Sequence, residues 1–177
     1  LVLSAFALVG ADSQRSIAQL QVATRAVVHT REVLEKLGEI STSVSEVESP
    51  ARSFAISGKQ SHLDPFYTAA KIVPEKVEEL KVLLQGDHEA LEAVTHIEPA
   101  IGRQVQAMKE MVELGNKMFR GSGQRKLTDE ASTLMEEVRT AFSALEKKQR
   151  GELAGQQATV SAKSQGVTML GLSESVL

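Results

Sequence analysis

Residues 47–67 read VESPARSFAISGKQSHLDPFY, and this stretch joins the end of one long apolar-periodic segment to the start of another. Gly58 follows the last periodic residue of the first segment, Phe54, at the place where a left-handed residue commonly ends a helix. Pro65 fits the first turn of a second helix, where a missing N–H leaves no hydrogen bond unmade. The stretch therefore predicts two consecutive helices joined by a short connection.

Apolar residues on both sides of this connection recur in alternating steps of three and four, the spacing of a narrow helical stripe packed in a bundle. The first stripe contains Val33, Leu37, Ile40, Val44, Val47, Ala51 and Phe54, and the second contains Leu63, Phe66, Ala70, Val73, Val77, Leu80 and Leu84. Ser61 or Asp64 is suited to the N-cap of the second helix, and Asp87 to that of a third.

Two further periodic segments follow. The third passes through Leu91, Val94, Ile101, Val105, Met108, Met111, Val112 and Met118, and the fourth through Leu127, Ala131, Leu134, Val138, Ala141 and Leu145. Short connections make consecutive helices antiparallel neighbours. The sequence therefore predicts an all-α, up-down-up-down four-helix bundle with elongated first and last helices, which should continue past the bundle as a paired stalk. Pro50, Pro74 and Pro99 fall inside predicted helices, where each favours a kink, and at Pro50 a break of the first helix is the alternative.

Composition supports a helical bundle and excludes several functional classes. Hydrophobic residues make up 42% of the 177, which excludes a disordered chain, and aromatic residues only 3%, which argues against a sandwich or barrel core. A formal net charge of −3 provides no attraction to nucleic acid. The absence of cysteine removes disulfides, thiolate zinc sites and thiol catalysis.

The apolar residues 1–11 are too few for a membrane-spanning helix, which needs about 20 residues. We expect them to be the end of a truncated transmembrane or signal segment, with a helix end packed in the bundle as the alternative. Residues 12–160 are then the four-helix bundle, and residues 161–177 a juxtamembrane helical tail.

Few side chains suggest specific chemistry. Glu48 and Arg52 have the i,i+4 spacing of an ion pair, either solvated on a helix face or partly buried, where it would fix helix register or line a polar pocket. One helix face carries His88, Glu92 and His96, which could in principle bind a divalent metal. The Glu-x-x-His repeats of di-iron bundles are missing, so we interpret these residues as polar side chains exposed to solvent. The sequence has no nucleophile–base pairing and no nucleotide fingerprint. We therefore predict no enzyme activity, no cofactor and no metal.

The stretch 47–67 resembles the central motif of CHASE3 domains, which are extracytoplasmic four-helix sensor modules of bacterial receptors. The matching residues are Glu48, Arg52, Phe54, Ile56, Gly58, Leu63 and Pro65. Ser53, Ser57 and His62 replace the usual Gly, Thr and aromatic residue. Residues 134–139, LMEEVR, resemble a stretch of the fourth CHASE3 helix, but Lys147 and Lys148 replace its acidic pair.

The resemblance implies the periplasmic or extracellular sensor region of a bacterial inner-membrane receptor, namely a histidine kinase, diguanylate cyclase or chemoreceptor. It also implies a homodimer, an unidentified small-molecule or protein stimulus, and transmembrane helices flanking this chain. The expected ligand-binding or switch residues are Glu48, Arg52, Phe54, Ser57, His62 and Tyr67. Arg139 and Glu146 are expected to make polar contacts that set helix register. A structural or adaptor bundle that binds partner proteins is the alternative.

Overall fold

The computed structural model describes the backbone of residues 2–116 and 122–173, and the side chains of residues 14–115 and 129–164. This part of the chain forms four α-helices and no β-strand. The helices are α1 (Val2–Ser57), α2 (Leu63–Leu83), α3 (His88–Asn116) and α4 (Ser122–Ser173), with 3-10 turns at Gln60–His62 and Leu84–Gly86. The prediction of an all-α fold with elongated first and last helices is confirmed.

Residues 33–147 form one compact unit, whose helices enclose the hydrophobic core. All seven residues of the stripe predicted for α1 are buried. Of the seven residues of the second predicted stripe, only Leu63 remains partly exposed. The stripe of α3 also includes residues that the sequence analysis missed, notably Ala90, Ile97 and Gln104. In α4, Phe142 joins the predicted core residues. Of the predicted core residues, Met118 and Leu127 lie outside the described side chains.

Ion pairs on the surface of this unit join neighbouring helices in antiparallel register. Lys36 Nζ of α1 lies 2.8 Å from a Glu79 carboxylate oxygen of α2, and Lys76 Nζ of α2 lies 3.6 Å from Glu39 Oε2 of α1. Hydrogen bonds to Glu79 and then Glu39 raise the pKa of Lys36 above its ordinary value. The hydrogen bond between Lys36 and Glu39 is also the main reason why the pKa of the Glu39 carboxyl lies below its ordinary value.

The helix ends agree with the sequence analysis at two places and differ at one. Gly58 has φ 67°, and its N–H donates to the carbonyl of Phe54 at 2.7 Å. Asp87 caps α3, because its Oδ1 accepts a hydrogen bond from the N–H of Ala90 at 3.0 Å. The predicted cap of α2 by Ser61 or Asp64 is wrong, since α2 has no side-chain cap. The 3-10 turn at Gln60–His62 leads directly into α2, and His62 before it already has near-helical dihedral angles.

Pro50, Pro74 and Pro99 lie inside α1, α2 and α3, as the sequence predicted. The alternative of a helix break at Pro50 is wrong, because α1 continues to Ser57. Each proline nevertheless lacks the N–H that would bond to the carbonyl four residues earlier. The prediction of a kink at these residues remains a prediction.

The second compact unit comprises residues 1–32 and 148–177. Its described side chains include Thr30, which is buried and donates a hydrogen bond from Oγ1 to Gln156 Oε1 at 3.0 Å. A polar contact therefore links α1 and α4 within this unit. Among the described residues, no helix has the length and apolar character needed to cross a bilayer. The side chains of residues 1–11 lie outside those described, so the segments predicted for residues 1–11 and 161–177 remain predictions.

Substitution of Gly58 tests the end of α1. Gly58→Ala is expected to lower the free energy of unfolding by about 1 kcal/mol, because a Cβ disfavours the left-handed conformation. The matched control is Gly38→Ala, at a helical position with no atom near the added Cβ, and there a gain of up to about 1 kcal/mol is expected. Urea denaturation followed by circular dichroism measures both, and equal stability of the two variants would contradict the assignment.

Candidate functional site

Glu48 and Arg52 form the ion pair that their spacing predicts. Arg52 NH2 lies 2.6 Å from Glu48 Oε1 and also donates a hydrogen bond to Ser132 Oγ of α4 at 3.0 Å. The Glu48 side chain is 19% exposed and that of Arg52 38%. Of the two alternatives left open by the sequence, a partly buried pair therefore describes the geometry better than a solvated pair, and Arg52 links this pair of α1 to α4. We call Glu48, Arg52 and Ser132 the polar clamp.

The residues of the polar clamp lie at the edges of the apolar stripes of α1 and α4. Glu48 and Arg52 each follow a buried residue of α1, Val47 and Ala51, and therefore lie at the edge of its apolar stripe. Ser132 likewise follows a buried alanine in α4. The Nε atom of Arg52 is buried and has no hydrogen-bond partner among the described residues. The clamp thus contains one guanidinium whose donors are only partly used.

The other predicted site residues serve separate structural roles. Phe54 is 2% exposed and belongs to the core. Ser57 closes the end of α1, because its Oγ donates to the Ser53 carbonyl at 2.7 Å and accepts from the Lys59 N–H at 3.2 Å. In the described part of the chain, no hydrogen bond or ion pair links Ser57 to the polar clamp.

The predicted site residues of the second helical segment also stand apart from the clamp. Tyr67 is exposed, and its ring packs edge-on against Phe66 with centroids 5.0 Å apart. His62 is partly buried in the 3-10 turn before α2. Across the described side chains, neither residue bonds to Glu48 or Arg52. The structure therefore brings together only Glu48 and Arg52 of the predicted site.

Arg139 and Glu146 were expected to set helix register. Arg139 is largely exposed and pairs with Glu136 of its own helix at 3.3 Å, so this pair makes no contact between helices. Glu146 is partly buried, and its role remains a prediction. Among the described residues, no group of three or more histidine or acidic side chains could hold a metal ion.

A comparison with protein families shows what kind of domain carries this geometry. The model of the CHASE3 domain matches residues 23–159, most of the chain. The chain belongs to the CHASE3 domain family. CHASE3 domains are extracytoplasmic sensor domains, and their role is sensory rather than catalytic. The resemblance of the stretch 47–67 is thereby confirmed at the level of the family.

This CHASE3 domain is also similar in fold to the sensor domain of the histidine kinase HK9 from Rhodopseudomonas palustris. The two share 19% sequence identity with a TM-score of 0.61, and the match covers 71% of this chain and 98% of that one. This similarity shows the fold alone. Among curated proteins, no match to the chain was found.

Next to the motif, the CHASE3 domain has a groove of about 400 Å³ between α1 and α2. It is lined on α1 by Glu46, Ser49 and Pro50, and on α2 by residues that include Pro65 and Thr68. The sequence analysis missed this groove, because it depends on how side chains from two helices meet. The sequence signal that pointed to this place was Pro50, a residue that is unfavourable in the interior of a helix.

Proposed function

We propose that this CHASE3 domain is the periplasmic or extracellular sensor region of a bacterial transmembrane receptor of the histidine kinase, diguanylate cyclase or chemoreceptor type. The family match over residues 23–159 carries this proposal. The unit that contains residues 2–32 of α1 and 148–173 of α4 supports it, because the first and last helices are linked there by the hydrogen bond from Thr30 to Gln156. A stimulus that moves α1 against α4 would then act on transmembrane helices beyond both ends. The receptor works as a homodimer and the domain has no enzymatic activity.

The polar clamp is the part of the bundle best placed to report such a movement. Arg52 of α1 contacts Ser132 of α4, so displacement of α1 along α4 changes this hydrogen bond. An exposed hydrogen bond of this kind contributes about 1 kcal/mol, which corresponds to a factor of about five in an equilibrium constant. A stimulus with a modest difference in affinity for two packed states is therefore sufficient to shift their populations.

Arg52→Ala in the receptor that carries this domain tests the clamp. We expect the unstimulated output of the receptor, measured in membranes, to change by up to about fivefold, because the tie between α1 and α4 is lost. Arg139→Ala is the matched control, since the pair of Arg139 stays within α4. Equal outputs for the two variants would mean that the polar clamp does not contribute to signalling.

Membrane topology and assembly state test the receptor proposal itself. We expect hydrophobic spans on both sides of residues 1–177 in the complete receptor, and a dimer in sedimentation experiments. An adaptor bundle would lack such spans. A complete protein without them would therefore contradict the receptor proposal and favour the adaptor alternative.

A further inference from the structure

A second groove lies between α2 and α3 and has a volume of about 260 Å³. Its lining includes four buried valine and isoleucine side chains, namely Val73, Val77, Ile101 and Val105. This volume is just below the roughly 300–1,000 Å³ of pockets that hold drug-sized ligands. The groove therefore suits a small molecule with an apolar body.

Two residues that weaken helices line this groove from opposite sides. Pro74 of α2 lacks the N–H that would bond to the carbonyl of Ala70, which also lines the groove. Gly102 lies in the interior of α3, where glycine costs about 1 kcal/mol relative to alanine. A Cβ at Gly102 would meet no atom within 4 Å, so no close helix packing requires this glycine. Departures from local helix preference are expected where function needs the space.

The charges at the two ends of the groove differ. Glu98 lies at one end and is paired with Lys81 of α2 at 3.1 Å. Lys109 lies at the other end, three helical turns along α3, and no carboxylate among the described residues pairs with it. Gln106 between them donates to Glu110 at 3.1 Å. The unneutralised charge of the groove is therefore the ammonium group of Lys109.

We propose that the groove between α2 and α3 binds a small organic monocarboxylate. Its apolar body lies on Val73, Val77, Ile101 and Val105, and its carboxylate pairs with Lys109. A second carboxylate would approach Glu98, so dicarboxylates fit less well. Binding does not depend on the sensor role, but the use of such a molecule as the stimulus rests on the proposed function.

Hexanoate and hexylamine are matched probes for this site, because they share an apolar body and carry opposite charges. We expect saturable binding of hexanoate to the chain, measured by methyl NMR, with shifts at the valine and isoleucine groups of the lining. Hexylamine should not produce these shifts. Lys109→Gln should weaken hexanoate binding by up to about fivefold, the upper end of the range for an exposed ion pair. Lys59→Gln, at an exposed lysine between α1 and α2, should leave it unchanged.

Gly102→Leu fills the groove and should abolish hexanoate binding. Gly38→Leu is the matched control, because the added Cβ again meets open space but lies in α1 outside the groove. Thermal unfolding checks whether both variants remain folded. If Gly102→Leu did not fold, Lys109→Gln would still test the site.

Three results would overturn the proposal: no saturable binding of hexanoate, equal binding of hexylamine, or unchanged affinity in both groove variants. Failure of the receptor proposal is a separate outcome. It would be seen as hexanoate binding to a protein without membrane spans, or as binding that leaves receptor output unchanged.

Discussion

Replacement of Phe54 with alanine is expected to lower the free energy of unfolding by about 3–5 kcal/mol, the usual cost of removing a buried phenylalanine side chain. Phe54 is 2% exposed and is among the largest fully buried side chains of the described core. It also meets α3 at Gly115, where an added Cβ would lie only 3.1 Å from Phe54 Cε1. Because Gly115 has no side chain that could move into the space, the cavity left by the ring cannot fill easily.

Urea denaturation followed by circular dichroism measures this loss. Tyr67→Ala is the matched control, because Tyr67 is 52% exposed and should contribute about 1 kcal/mol or less. A loss of similar size in both variants would mean that the ring of Phe54 does not lie in a tightly packed site.

The sequence predicted the fold well because the fold depends on the period of apolar residues. Along α1 every step of the stripe is three or four residues, and each predicted residue is buried. Gly58 and Asp87 were predictable for a similar reason, since a left-handed glycine and an aspartate N-cap act through nearby backbone. The caps expected from Ser61 and Asp64 failed because a 3-10 turn precedes α2 directly.

The candidate site was predictable only in part. The spacing of Glu48 and Arg52 indicated their ion pair, but nothing in the sequence singled out Ser132, whose hydrogen bond depends on the register of α4 against α1. Both grooves were missed because they depend on side chains from two helices. Pro74 and Gly102 were visible in the sequence as breaks in helix preference, but they lie far apart in the chain and only the fold brings them to one groove.

Gln104 is the core residue that sequence reasoning had least chance of finding, because an amide is normally assigned to the surface. It is fully buried in α3, and neither its Nε2 nor its Oε1 has a hydrogen-bond partner among the described residues. A buried polar group without a partner costs about 1–3 kcal/mol. Gln104→Leu is therefore expected to raise the free energy of unfolding by about that amount, since the two side chains have similar size.

Gln106→Leu is the matched control, because Gln106 lies on the exposed side of the same helix and its replacement should change stability by about 0.5 kcal/mol or less. The two variants are compared by urea denaturation. A lower stability of Gln104→Leu would mean that the amide is hydrogen-bonded in solution, for example to a buried water.

The expected gain also bears on signalling. An unsatisfied amide in the core raises the free energy of the packed state that contains it and brings a second packing of the helices closer in energy. Under the proposed sensor role, Gln104→Leu should stabilise one packing and reduce the response of the receptor to its stimulus. A stabilised receptor with an unchanged response would show that the two packings both bury this residue, and that the switch lies elsewhere, in the polar clamp or at the ends of α1 and α4.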